Sequence, residues 1–398
     1  MSAWPASVVL ASALLPPWID GGSTERRTGA EEVELRATPD IHGARRATIA
    51  AGRTVRVYAK HKGPGCDGAW VMVGPEAWAC SDNLKAHDGR QDAPESEPKF
   101  FFVQTESTPA YASFERAGED TPDAEFERGF GVSIVKTRAK DGTNWSLTTK
   151  GMWVQSANIV QARISKFLGT KLQGTLDVAW AKASGARARK EDNDGVATKL
   201  PPRTAVRVAG AKGEGKAERL LVAWNDATGA HTTWLLPSEL RRPRALAPEP
   251  TWSPTERWVD VSLKDQTLVA YEGAAPVYAT LISSGKGNAG SPFETPKGHF
   301  HVWAKIRAIT MDNLDEPEAE TYYSVEDVPY VQFFSNGVAL HGAYWHDLFG
   351  QRHSHGCVNL SVPDAKFLFD FANPALPPGW SAAHPYVYDA GLRVIVHD

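Results

Sequence analysis

The chain runs to 398 residues and carries 43 Lys and Arg against 47 Asp and Glu, a formal net charge of −4. That balance excludes a general nucleic-acid-binding surface, and no run approaches the ~18 apolar residues a membrane-spanning helix needs. With 42% hydrophobic residues and 14 Trp, the length suffices for two to four packed domains.

Residues 6–15 form an apolar run of the length found in the core of an export signal, yet residues 1–5 hold no Lys or Arg. The run is either an incomplete or degraded signal or a buried segment, and residues 1–32 together are read as a signal or leader. Three units then repeat loosely over 33–86, 99–163 and 164–243. Each alternates apolar and polar residues. Each closes on a Trp (Trp78, Trp153, Trp234) followed by a short turn and Leu84, Ile159 or Leu240. Alternation with period two is the sign of half-buried strands, so the chain is predicted to be mainly β.

This pattern resembles the bacterial SH3-like (SH3b) module, a small barrel often found beside cell-wall enzymes. The resemblance implies either binding of wall polymer or a packing scaffold without a ligand. Cys66 and Cys80 flank a strand-and-turn pattern. They form a disulfide in an oxidising compartment, or stay as two buried thiols. Residues 85–98 are polar and read as a linker. The Ala-rich, then charged stretch 179–196 reads as an exposed loop or hairpin. Residues 244–255 carry Pro248, Pro250 and Pro254 and read as a stiff linker.

Alternation resumes over residues 256–398, with Gly273 marking a turn. One helix is predicted after Ser361, an N-cap, with Pro363 and Asp364 in its first turn and Phe367, Leu368 and Phe371 as its apolar face. The Gly-rich stretch 285–290 lacks a Gly-Lys-Ser/Thr ending and a following helix, so it reads as a loop between strands, not a nucleotide site. Residues 307–329 are long and acidic, with Asp312, Asp315, Glu316, Glu318, Glu320, Glu326 and Asp327. They form either a lid or a solvated loop.

The densest chemistry lies in residues 341–359. It holds Cys357 together with His341, His346, His353 and His355, and glycines at 342 and 356. Residue chemistry alone leaves three readings open. Cys357 is a nucleophile activated by a histidine base. Or His346, His353, His355 and Cys357 hold a metal. Or Cys357 is a small buried hydrophobe.

His341-Gly342 followed by Ser354-His355-Gly356-Cys357-Val358-Asn359 resembles the active-site signature of the L,D-transpeptidase (YkuD-type) catalytic domain. Trp258 to Ser262, Gln266 to Tyr271, Ser283-Ser284-Gly285-Lys286 and Thr295-Pro296-Lys297-Gly298-His299-Phe300 are similar to further elements of that family. The resemblance covers residues 257–398. It implies a β-rich catalytic domain with one or two short helices, preceded by the small barrels. It implies Cys357 as nucleophile and His341 as base, the latter oriented by a main-chain carbonyl. Gly356, His355, Ser354 and Gly342 would shape the site, with the N–H groups of Gly356 and Cys357 facing the oxyanion. Asn359, where many relatives have Arg, and Tyr322, Tyr323 and Tyr330 would contact substrate. No cofactor and no metal are implied. The expected partners are peptidoglycan stem tetrapeptides, in the periplasm or cell envelope after export. The acyl acceptor would be a second stem, a protein or water. A carbapenem-type β-lactam would inactivate the enzyme covalently.

Overall fold

The computed structural model describes residues 25–87, 99–189, 196–287, 290–314, 322–387 and 390–398. The chain divides into two compact units, residues 1–94 with 376–386, and residues 95–375 with 387–398. Among the described residues no helix is long and apolar enough to cross a membrane.

The first unit is built from short antiparallel strands. Leu35, Ala47, Ile49, Val71 and Val73 alternate inward and form its core. Two boundaries differ from expectation. The leader was placed over residues 1–32, but Arg26–Gly29 is a strand, paired with Thr54–Arg56 on one side and Leu84–Ala86 on the other. Its backbone groups are spent on both neighbours, so this part of the stretch is framework. The same pairing takes Lys85 and Ala86 out of the expected linker, whose residues 88–98 lie outside the described ones. Residues 376–386, which lie within the expected catalytic domain of 256–398, also complete this unit: Trp380–Ala383 pairs antiparallel with Arg45–Ile49, and Trp380 is buried in this unit's core. Gly74 makes room for the indole: a Cβ there would lie 2.6 Å from Trp380 Cζ2. Cys66 and Cys80 are joined by a disulfide.

The second unit begins with a small β body over residues 99–161, packed around Val103, Phe130, Val132, Val154 and Ile159. Next comes an antiparallel sheet that includes Val178–Ala181 and Ala186–Arg189. The exposed loop or hairpin expected at 179–196 is partly corrected: Ala186–Arg189 does form a hairpin with Val196–Leu200, but Val178–Ala181 is an interior strand of the sheet. Ala179 and Ala181 point into that sheet's core, while Trp180 packs beside Trp258 and Tyr271. Small side chains let this strand be covered on both faces, which strips it of alternation. Residues 190–195 lie outside the described ones. The expected linker 244–255 is not a free spacer either. Leu246 and Trp252 pack onto the Trp258–Tyr271 cluster, and Leu246 N–H donates to the Tyr271 hydroxyl at 3.3 Å.

The C-terminal part places Arg257–Ser262, Thr267–Glu272, Ala275–Leu281, Gly298–His301 and Arg393–His397 in one sheet. Against it stands a ladder of Ala304–Asp312, Ser324–Ser335, Val338–Gly342 and Val358–Leu360. Much of the acidic stretch 307–329 is thus the two arms of a hairpin, with Asp312, Glu326 and Asp327 on its strands. Residues 315–321, with Asp315, Glu316, Glu318 and Glu320, lie outside the described ones. The helix Val362–Phe371 follows, capped by Ser361 Oγ accepting from Asp364 N–H. It buries Ala365, Leu368 and Phe371 in the core.

Candidate active site

Val338–Gly342 and Val358–Leu360 run parallel, with Leu340 opposite Val358 and His341 opposite Asn359. Period two puts Ala339 and His341 on one face, and Cys357 and Asn359 beside them. Cys357 therefore sits one diagonal step from His341, and both line a cleft of about 630 Å³. The loop between the two strands is fixed from the other side. Isolated bridges join Ser283 to Asn359 and Gly285 to Ser354, and His353 N–H donates to the Ser284 carbonyl at 2.8 Å.

His341 is buried, and desolvation pushes its pKa from 6.5 down to about 4. Its Nδ1 lies 3.2 Å from the Gly342 carbonyl oxygen. A carbonyl can only accept, so the proton resides on Nδ1 and Nε2 keeps its lone pair. Gly342 thus acts through its carbonyl. It has to be small as well, because a Cβ would come within 3.0 Å of Pro329 Cγ.

The Cys357 thiol is half-buried. Desolvation pushes its pKa up, and the Ala339 N–H pulls it the other way. Sγ reaches the Gly337 carbonyl at 3.9 Å, and among the described residues no hydrogen bond links it to His341. The resting pair is a neutral thiol and a neutral imidazole.

The loop carrying the thiol is braced by Ser354, whose Oγ accepts from Gly356 N–H at 3.1 Å and donates to the Cys357 carbonyl. One expectation is corrected here. Gly356 N–H, expected to face the oxyanion together with Cys357 N–H, is already spent on Ser354. Gly356 still has a specific reason to be glycine, its φ of +130°. Sequence reasoning passes over Thr295 as a site residue. Its hydroxyl donates to the Gly356 carbonyl at 2.7 Å and accepts from Gly285 N–H at 2.9 Å. Its place in a Thr-Pro-Lys-Gly turn ahead of a strand was the available signal.

His346 belongs to a second pair. Its Nδ1 accepts from Leu348 N–H at 3.2 Å, which leaves the proton on Nε2, 3.0 Å from the Asn359 side-chain amide. A protonated Nε2 calls for the amide oxygen on its side. The amide NH2 then takes the buried position that has no partner, as a donor on the cleft-lining residue Asn359. With both ring nitrogens engaged, His346 is not poised as a metal ligand. Among the described residues the group that brings three such donors together is Cys66, Cys80 and Asp82, and its two sulfurs are bonded to each other.

His355 is exposed at the mouth of the cleft. Its ring lies between Phe293 and Tyr323, with centroids at 4.8 and 5.7 Å, and Lys286 Nζ is 3.0 Å from its Nε2. Tyr323 lines the cleft. Tyr322 is exposed and lies outside the lining. Tyr330 is corrected: it faces the helix, 5.7 Å from the Phe369 ring and beneath Lys366, because a positive φ of 58° turns it away from the cleft.

Residues 256–395 match the family model of the YkuD L,D-transpeptidase catalytic domain. The segment is also similar to a putative L,D-transpeptidase, YciB, of Bacillus subtilis, with 28% identity over 139 residues, covering 28% of this chain and 59% of that protein. The chain thus spans about three-fifths of the length of this curated relative. Similar solved structures include the catalytic domain of an Enterococcus faecium L,D-transpeptidase (26% identity, 36% of this chain and 98% of that one, TM-score 0.26). Another is an L,D-transpeptidase from Xylanimonas cellulosilytica (23% identity, 38% and 65%, TM-score 0.25). The matched residues 256–395 contain the whole of the parallel strand pair and the cleft-bearing loop described above.

Proposed function

We propose that the chain is a cysteine-dependent L,D-transpeptidase acting on peptidoglycan stem tetrapeptides. The observation that carries this reading is the pairing of His341 with the Gly342 carbonyl beside Cys357 in one cleft. It leaves the Nε2 lone pair and the thiol lining the same cleft. His341 Nε2 takes the thiol proton as sulfur attacks the carbonyl between the third and fourth stem residues. Cys357 N–H faces the oxyanion. The imidazolium returns the proton to the departing D-Ala amine, and a thioester remains on Cys357. An amine of a second stem or of a protein attacks the thioester, and the thiol is regenerated. Water in place of the amine makes the reaction an L,D-carboxypeptidase.

The reading includes export to the periplasm or cell envelope. The Cys66–Cys80 disulfide supports it, because such bonds persist in oxidising compartments, and it leaves Cys357 as the free thiol. Incubation with purified tetrapeptide stems, followed by mass analysis, tests the proposal. Loss of D-Ala with a cross-linked product marks transpeptidation, and loss with a free tripeptide marks trimming. A carbapenem adduct on Cys357 that Cys357→Ala abolishes supports the thiol mechanism. Product formation undiminished in Cys357→Ala would overturn it.

A further inference from the structure

One wall of the cleft comes from outside the matched catalytic segment. Phe102 and Gly129 line it beside Met311 and Val325, and both belong to the β body of residues 99–161. The strand register accounts for this. Phe102 pairs with Gly131, Gly131 bridges Val325, and Val325 pairs with Met311. These residues form one row across four strands, about 5 Å per step, and residues opposite one another share a face. The row is fastened behind the cleft. Ser133 N–H donates to the buried Glu326 carboxylate at 3.0 Å, and Thr149 Oγ1 donates to Asp327 at 2.6 Å. Phe100 stacks on Tyr344 with ring centroids 3.9 Å apart. A Cβ on Gly131 would lie 2.6 Å from the Tyr344 hydroxyl oxygen, so only glycine lets the row close. This body is a fixed part of the cleft, not a spacer.

The row is apolar and bordered by polar groups. Phe102, Val325, Met311 and Ile309 give a hydrophobic trough. Along the same strand the cleft is also lined by Thr310, whose buried hydroxyl has no partner among the described residues, and Asp312, the one carboxylate among the described lining residues. Thr310 sits at the irregularity where Ile309 pairs with Val328 but Met311 with Val325, a device that re-aims side chains beside functional sites. An apolar trough bordered by a hydroxyl and a carboxylate complements a linear aliphatic chain with a terminal ammonium.

We propose that residues 99–161 supply a specificity wall, with Phe102 seating the aliphatic part of a substrate side chain while Asp312 receives its ammonium. The proposal rests on the stem-peptide reading for the identity of the ligand. Calorimetric binding to the full chain carrying Cys357→Ala tests it without turnover. The probes are two tetrapeptides that differ only in the third residue, L-lysine or L-norleucine. The lysine peptide is expected to bind about tenfold tighter. Phe102→Ala weakens both peptides about fivefold or more, and Phe102→Leu, which keeps the packing, retains most of the affinity. Asp312→Asn erases the preference for lysine while leaving norleucine affinity unchanged. Equal binding of the two peptides, no binding of either, or unchanged affinity in Phe102→Ala would overturn the proposal. Failure of the transpeptidase reading shows separately, as peptide binding without acyl transfer by the unsubstituted chain.

Discussion

The Nδ1 of His341 lies 3.2 Å from the carbonyl oxygen of Gly342, its own chain neighbour. The base is thus oriented by main chain, and among the described residues no carboxylate is hydrogen-bonded to it to stabilise an imidazolium. Burial holds its pKa near 4, so the ring is neutral and competent well below pH 6. The acid limb of kcat/KM for stem turnover is expected near pH 4, where the folded protein finally protonates His341. His341→Gln should lower kcat by about a hundredfold or more with peptide affinity retained. A limb near 6.5, or turnover indifferent to the substitution, would remove His341 from its assigned role.

The thiol behaves as the complement of that base. Desolvation raises the Cys357 pKa above that of an ordinary thiol, so little thiolate exists at rest. Alkylation by iodoacetamide, followed by intact mass, should be slow at neutral pH and climb only in the alkaline range. Because no hydrogen bond joins the two side chains at rest, His341→Gln should leave that curve in place. A fast, pH-independent reaction at neutral pH would reveal a preformed thiolate–imidazolium pair instead.

What the sequence makes readable follows from how local the signal is. The Cys357 and His341 pattern, the Ser361 cap and the Cys66–Cys80 pair are short-range features, and their residues stand close in the fold. The pairing of Trp380–Ala383 with Arg45–Ile49 is invisible in the text, because period two marks a strand but not its partner. Ala179 to Ala181 read as part of an exposed loop or hairpin because a strand covered on both faces loses its alternation. Tyr330 was misplaced by a positive φ, and Gly356 N–H by a side-chain bond from two residues away. Neither leaves a trace in residue spacing.

His346 and Asn359 form a unit whose members sit on the cleft-bearing loop and on the strand after the nucleophile. His346 is held neutral by burial, its pKa lowered to about 3, so it acts as a fixed donor to the Asn359 amide across the working pH range. His346→Ala and Asn359→Ala are each expected to lower kcat/KM by about tenfold. Residues in one hydrogen-bond network couple, so the double variant should lose little beyond either single one. Losses that multiply to about a hundredfold would mean that the two side chains act independently.

Glu326 ties the wall to the hairpin, and its ionisation is written into the stability of the second unit. Desolvation raises its pKa from 4.5 to about 7, with Asp327 pushing the same way and Ser133 N–H opposing. A raised carboxyl pKa means that the fold holds a proton which the unfolded chain has already released. The stabilisation is therefore complete below pH 4.5 and is lost as pH rises through 7, amounting to about 3 kcal/mol at most. The melting temperature should fall by several degrees between pH 5 and pH 8. Glu326→Gln stays neutral and still accepts from Ser133 N–H, so it should flatten that fall in a calorimetric series. A parent protein whose melting is level across the interval would place the Glu326 carboxylate in water, and the wall would lose its fastening.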